Sequence, residues 1–262
     1  MSQKGTSVSR RKFLMGAGAL ATGVMAMGVV GCADTVTGNG NVASAQALPW
    51  TYKKLDVEKV RKRGYEGYFE GGCCYAAATA LLETLREDNG SPWDTIPQDM
   101  FRYGAGGAYS WGTLCGALNG SLAVINLARE NHPELGNELV GWYTEFPFPT
   151  DKHESYCNIP EQITTVAKSP LCHISVSTWA NAAGATVNSD EKADRCAKLS
   201  GDTAAYAAQL LNDALENNFA AAFTVSDEYS HCMDCHTGKD SVFDNQQGKM
   251  SCTSCHDDHT KE

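Results

Sequence analysis

One short pattern occurs twice near the C-terminus: Cys232-Met233-Asp234-Cys235-His236 and Cys252-Thr253-Ser254-Cys255-His256. Each is C-x-x-C-H, the attachment sequence of a c-type haem. Two thiols three positions apart reach the two vinyl groups of one porphyrin. The histidine that follows is then held beneath the ring, where its imidazole binds iron. The pattern constrains the fold because residues 226–262 contain few large apolar side chains. A tail of this composition has no core of its own, so two haems would have to be that core. The same four cysteines also spell a zinc ribbon, since 16 residues separate Cys235 from Cys252. Zinc is the poorer reading. Both pairs are followed directly by His, which a four-cysteine zinc site does not need, and the segment between them offers no clear pair of strands.

Each iron needs a sixth ligand, and a second histidine gives a lower potential than a methionine. Of the seven histidines, His236 and His256 belong to the motifs. His231 adjoins Cys232, and His259 follows His256 by three residues. Neither easily reaches the far face of its own ring, but either can serve the neighbouring haem or one in another subunit. His153 and His173 can reach a haem from the preceding part of the chain. His132 reads as structural. Met233 and Met250 are further candidates, with Met250 better suited to packing on a porphyrin.

The N-terminus reads as an address. Arg10-Arg11-Lys12-Phe13-Leu14 leads into an uncharged Gly/Ala-rich run from Phe13 to Val30, the form of a twin-arginine export signal. Val29-Val30-Gly31-Cys32 resembles a lipobox and would place a lipid on Cys32; Ala43-Ser44-Ala45 is a competing cleavage site. Residues 1–31, or 1–45, are therefore set aside as signal, with 32–50 as linker. The formal net charge is −10, and loss of Lys4, Arg10, Arg11 and Lys12 takes it to −14. That balance excludes a nucleic-acid binder working by phosphate neutralisation. It suits an acidic exported, periplasmic protein with a basic docking partner. Twin-arginine export carries folded proteins, often around a cofactor inserted beforehand.

The chain of 262 residues, with 42% hydrophobic residues, is long enough for a sizeable core. Its middle, residues 51–222, reads as mainly α. Over 72–88, Cys74, Ala77, Ala78, Leu81, Leu82 and Leu85 share one helical face. A second helix runs over 112–133 with Pro133 ending it, and Gly116 and Gly120 permit close packing. A third covers 190–217. Residues 172–180 suit strand or helix. The Gly104–Gly107 stretch reads as a tight loop near the cysteines, and the five tryptophans as core or interface residues. The predicted architecture is a cysteine-bearing helical domain followed by a small irregular dihaem segment, 223–262. Cys74, Cys115, Cys172 and Cys196 lie in or beside these elements. They can form two disulfides or supply four thiolates to a metal cluster, and the export route favours the cluster. Cys73 and Cys157 are spares for that set.

Taken together, GGCCYAAATAL, WGTLCGALNGSL, SPLCHISVSTW, RCAKL and the two C-x-x-C-H motifs resemble the split-Soret cytochromes c over roughly residues 50–262. The helical part also looks like the wider redox-active family named for its C…GCAxxG…C…C pattern. Here Cys115-Gly116-Ala117-x-x-Gly120 departs slightly in its order at the cysteine. The resemblance implies a homodimer with two c-type haems per chain, nearly in contact. It implies two histidine ligands per iron, one from the partner chain, and an iron–sulfur cluster in the helical domain. Carried onto this sequence, Cys232, Cys235, His236 and Cys252, Cys255, His256 hold the haems. Cys74, Cys115, Cys172 and Cys196 hold the cluster. His173 and His259 are the sixth ligands, ahead of His153 and His231.

The expected function is electron transfer rather than catalysis, because iron with two protein ligands has no open site. Two rivals are a haem- or thiol-dependent reductase of a small molecule, using Cys73-Cys74 as a dithiol, and a zinc-ribbon interaction module.

Overall fold

The computed structural model describes residues 46–260. The twin-arginine segment, Cys32 and both candidate cleavage sites lie outside these residues. Among the described residues the architecture is helical, with two isolated antiparallel bridges as its only β pairing. None of the described helices is long and apolar enough to cross a membrane.

Helix α1, Val57–Asn89, is the spine. Asp56 caps it, its carboxylate accepting from the amides of Glu58 (3.1 Å) and Lys59 (3.0 Å). Its middle is broken at Gly72, whose φ of 77° is left-handed and which continues as a second helical stretch. Only glycine takes that conformation without strain. The kink directly precedes Cys73 and Cys74 and resets the direction in which each points. Beyond it, Ala77, Ala78, Leu81, Leu82 and Leu85 are fully buried, as the periodicity predicts. Each buried leucine contributes about 1.5–3 kcal/mol.

Helix α2 is Gly116–Ala128. It lies against the second half of α1 so closely that a Cβ on Gly120 would stand 2.3 Å from the Cys74 carbonyl oxygen. Helix α3 is His132–Glu145. The expected helix over 112–133 is thus two elements: Arg129 is extended and ends α2, and Pro133 opens α3. Proline serves there because the first turn of a helix has no use for its missing N–H. Helix α4, Cys172–Ala183, settles the ambiguous stretch as helix, and Gly184 closes it in the left-handed conformation. Helix α5, Asp190–Leu215, begins at the Ser189 cap and packs along α1 as the second long element of the core.

The last helix, α6, is Asp227–His236 and carries the whole first haem motif. The second motif is a turn, held by amides of Cys255 (3.1 Å) and His256 (2.9 Å) on the Cys252 carbonyl. The segment leading into α6 is fastened by buried Glu138, which accepts from the amides of Ala222 (2.9 Å) and Phe223 (2.8 Å). Lys249 donates to Asn137 at 2.6 Å.

Candidate functional site

Two groups of residues carry the chemistry: a cysteine chamber inside the helical part and a cavity in the tail.

The chamber is built where three chain segments meet. Residues 113–115 and 170–172 run antiparallel through the Leu114–Leu171 bridge. Cys115 donates its amide to the Pro170 carbonyl at 2.8 Å, and Cys172 donates to the Thr113 carbonyl at 2.7 Å. This pairing sets Cys115 and Cys172 side by side, the first as the cap of α2 and the second as the opening residue of α4. Two helix N-termini therefore face one place, and their unpaired amides and dipoles favour negative charge there. The kink at Gly72 adds Cys73, whose sulfur would stand 2.4 Å from a Cβ on Gly116 and lies next to the Cys115 thiol and the backbone amides of Gly106 and Gly116. Helix α5 supplies Cys196, which lies beside the Tyr68 hydroxyl.

The structure thus brings Cys73, Cys115, Cys172 and Cys196 together. Cys74, the residue expected from helical spacing, is fully buried and turns toward Gly104 instead, where an added Cβ would stand 2.6 Å from its sulfur. The spacing that links Cys74 to Ala77, Ala78 and Leu81 marks the face of α1 that packs on its neighbours. That face is a core face, and the chamber lies beside it. Cys157 stays near Tyr65 and Asp194, its amide bonded to the His153 carbonyl at 2.8 Å. The Gly-rich loop does wrap the site, with the Gly104 carbonyl 3.9 Å from the Cys73 sulfur. The same loop leaves Trp111 83% exposed, so this tryptophan lies outside the core.

Burial works against charge in the chamber. Hydrogen bonding with Cys115 and then burial push the Cys73 thiol well up. Burial, with Cys73 and Cys196 as neighbours, pushes Cys172 to about 12. Burial, with Cys73 beside it, pushes Cys74 to about 12. Cys73, Cys74, Cys115, Cys157, Cys172 and Cys196 form no disulfide. Neutral thiols leave the surrounding donors with little to bind, whereas metal-held thiolates would use them. The donor set fits an iron–sulfur cluster in that respect. It does not fit a single ion as it stands: no three His, Cys, Asp or Glu side chains of the described residues converge on one point.

In the tail, Cys232, Cys235, His236, Cys252, His256 and His259 line one cavity of about 590 Å³. Its size lies in the range of cofactor pockets. The His236 ring stacks on Phe243 at 5.2 Å and pairs through Nδ1 with Asn245 Oδ1 at 2.9 Å. That bond leaves Nε2 free, the orienting role that partners of metal-bound imidazoles usually play. The His259 ring lies 6.0 Å from that of His236. Two imidazoles on one iron need about 6 Å between ring centres, with ~2 Å per metal–nitrogen bond and ~1 Å from nitrogen to centre. The donors and the space fit haem.

The other histidines differ in their settings. His231 pairs with Thr260 at 3.4 Å on the cavity wall. His153 is fully buried with both nitrogens engaged, to Asp202 at 2.9 Å and to the Tyr156 hydroxyl at 3.0 Å, so it is a core residue. His173 is exposed on α4 beside Cys172 and Gly112, at the rim of the chamber. Sequence reasoning missed Tyr68, Tyr143, Ser175 and Arg195, which line or back the chamber. Of these only Arg195 left a signal, a charged residue within the buried stretch of α5 and next to Cys196.

The chain is similar to known proteins over most of its length. Residues 72–210 match the family described as "Putative redox-active protein (C_GCAxxG_C_C)". The chain is 31% identical to the split-Soret cytochrome c of Desulfovibrio desulfuricans (strain ATCC 27774) over 95% of both chains. It is also similar to a solved structure described as a novel iron centre in the split-Soret cytochrome c of that organism. The match has a TM-score of 0.74 at 30% identity, covering 79% of this chain and 90% of the other.

Proposed function

This chain belongs to the split-Soret cytochrome c family, and we propose that it is an exported periplasmic electron carrier with two covalent c-type haems and one iron–sulfur cluster. That it is a redox electron-transfer protein follows from the family. The finer reading rests on its own residues. Cys232 and Cys235 hold one haem and Cys252 and Cys255 the other, with His236 and His256 as their first axial ligands. Cys73, Cys115, Cys172 and Cys196 hold the cluster. When bound, these groups each accept and release single electrons, and the protein's task is to hold them in place and control their potentials.

The observation that carries the reading is the pair of imidazoles, His236 and His259, facing one cavity 6.0 Å apart. It supports an iron closed by two protein ligands, which exchanges electrons and leaves no position for a substrate. A second histidine also supports a low potential. His173, exposed at the chamber rim, is the proposed ligand for a haem of a second copy, and this makes a homodimer part of the proposal. The reductase alternative draws no support from Cys73 and Cys74, which are 7% and 0% exposed and so closed to a substrate. The twin-arginine route and a lipid on Cys32 are proposed from the N-terminal sequence alone.

The test is spectroscopic. The chain is produced with a c-haem maturation system and purified without oxygen. Pyridine haemochrome, iron and sulfide are counted per chain, and carbon monoxide is added to the reduced protein. Two c-haems, extra iron with sulfide, and no stoichiometric carbon monoxide binding are expected. Zinc in place of haem, or full carbon monoxide binding, overturns the reading.

A further inference from the structure

Among the buried cations of the helical part, Arg195 is the exception. Arg61 pairs with Asp202, and Lys198 lies 3.0 Å from Asp194. Arg195 is 1% exposed, yet among the described residues it has no carboxylate within 4.0 Å. Its Nη2 donates to Ser175 Oγ at 3.0 Å, and its Nη1 stands 3.9 Å from the Cys196 sulfur. Its Nε has no partner at all. A guanidinium does not shed its proton to escape this position. An ionised group buried without a counter-charge is among the costliest arrangements a protein can hold.

The surroundings show where the missing charge belongs. Arg195 reaches Cys196 directly. Through Ser175 it meets the Tyr143 hydroxyl at 3.2 Å, and that hydroxyl lies beside Cys115. Cys172 feels the positive charge of Lys192 first and that of Arg195 after it. The guanidinium thus touches Cys196, and Ser175 and Tyr143 connect it toward Cys115. Neutral thiols or two disulfides would bring no charge to offset it. Four thiolates around an iron–sulfur cluster carry net negative charge in both oxidation states, and one unit more after reduction.

We propose that Arg195 is the built-in counter-ion of the four-thiolate centre, stabilising its retention and raising its reduction potential. The inference rests on the cluster assigned under the proposed function. On reduction one electron enters the centre from the reductant and Arg195 remains cationic, with no proton exchanged at that side chain. The added negative charge is what the guanidinium favours, so it shifts the equilibrium toward the reduced form. Arg195 is a positioning residue; the chemistry belongs to the cluster.

The test compares wild type, Arg195→Met and Arg195→Lys as full haem-bearing chains. The potential of the cluster is titrated anaerobically. Arg195→Met is expected to move the redox equilibrium about tenfold toward the oxidised form, about 59 mV for one electron, with the haem potentials unchanged. Arg195→Lys should recover part of the shift. The second readout is the urea midpoint with and without the cluster. With it, Arg195→Met should be the less stable chain. After chelation of the cluster iron the order should invert, because wild type then holds an uncompensated buried cation.

A residue that merely packs would lower the midpoint in both states and leave the potential in place, and that result overturns the inference. If Arg195→Met retains no cluster, Arg195→Lys and the cluster-free midpoints decide. Retention by the lysine chain with inversion supports the counter-ion, and loss in both without inversion refutes it. Wild type with no iron beyond its haems removes the proposed cluster itself, a failure visible before any variant is made.

Discussion

The contact between α1 and α2 makes a sharp prediction at Gly120. A Cβ there would stand 2.3 Å from the Cys74 carbonyl oxygen and 2.9 Å from the Ala78 nitrogen. Both are backbone atoms, so no side chain can swing aside. The shorter contact falls about 1.1 Å short of an ordinary one of 3.4 Å, and Gly120→Ala must push the two helices apart by roughly that much. Overpacking of this kind costs about 1–3 kcal/mol. Replacing glycine inside a helix returns about 1 kcal/mol. Because both clashing atoms are backbone, the upper part of that range applies, about 2–3 kcal/mol, and the net expectation is a loss of about 1–2 kcal/mol, or roughly 0.5–1 M in the urea midpoint for a slope near 2 kcal/mol per M. Helix α2 also carries Cys115 at its cap, so the same displacement draws Cys115 from Cys73 and should reduce cluster iron per chain. Gly136→Ala in α3 is the matched control. Its Cβ would meet only the end of the Leu122 side chain, at 3.1 Å, and it should be neutral or slightly stabilising with full iron. Equal midpoints and equal iron in the two variants would refute the argument from helix approach.

Three further outcomes are expected. Cys73→Ala should lose the cluster signal, whereas Cys74→Ala should keep it and cost only the about 1 kcal/mol of a shaved buried atom; iron and sulfide analysis separates the two, and the reverse pattern would return the ligand role to Cys74. His259→Ala should open one iron per chain, so the reduced protein should bind about one carbon monoxide where wild type binds none; an unchanged spectrum would remove His259 as a ligand. Asp202 is held below its ordinary carboxylate pKa, because its hydrogen bonds from His153 and Thr150 outweigh the opposing effect of burial. Its stabilisation is therefore present above the ordinary value of 3.8 and lost as pH falls through its lower folded value. Asp202→Asn should cost about 1–3 kcal/mol near neutral pH by weakening its bonds to Arg61, His153 and Thr150, while Arg61 keeps Glu58 at 2.9 Å, and its acid-unfolding slope should be the flatter one; identical slopes would exclude Asp202 as a source of acid sensitivity.

The helices were legible because burial is periodic. The face through Cys74, Ala77, Leu81 and Leu85 is fully buried, and the reach of α5 matches its apolar spacing. The two haem motifs were legible because attachment chemistry fixes local spacing. What stayed hidden depends on long-range geometry. Periodicity identifies the face of a helix that meets the core, and so it selected Cys74. The residue that meets a site beside the core is decided by the kink at Gly72, which no period of 3.6 residues reports. Cys115 and Cys172 become neighbours through one antiparallel bridge between segments far apart in sequence. Pro133 misled in a simpler way: the same residue that stops one helix can begin another, and only the extended Arg129 shows which occurred. His153 offered a free imidazole on paper, but Asp202 and Tyr156 occupy both its nitrogens.

The two halves of the molecule stand in opposite relations to their cofactors. The helical part has a core without help, since α1, α2 and α5 bury their own apolar faces. Its chamber is then a polar exception inside a finished fold. Burial drives its thiols toward the neutral form, while two helix N-termini, two backbone amides on Cys73 and Arg195 all favour an anion there. These demands conflict in a protein of neutral thiols and agree once thiolates are held by metal, because the metal supplies the charge that lets a buried thiol ionise. The tail inverts the case. Val242, Phe243 and Met250 are 74%, 57% and 40% exposed, and its few fastenings to the rest include Lys249 on Asn137. The tail leaves these apolar side chains open and holds a separate cavity lined by thiols and imidazoles, and a porphyrin's apolar faces would supply the missing counterpart. In the helical half the fold prepares a place for charge; in the tail the proposed haems supply the apolar surface that the sequence withholds.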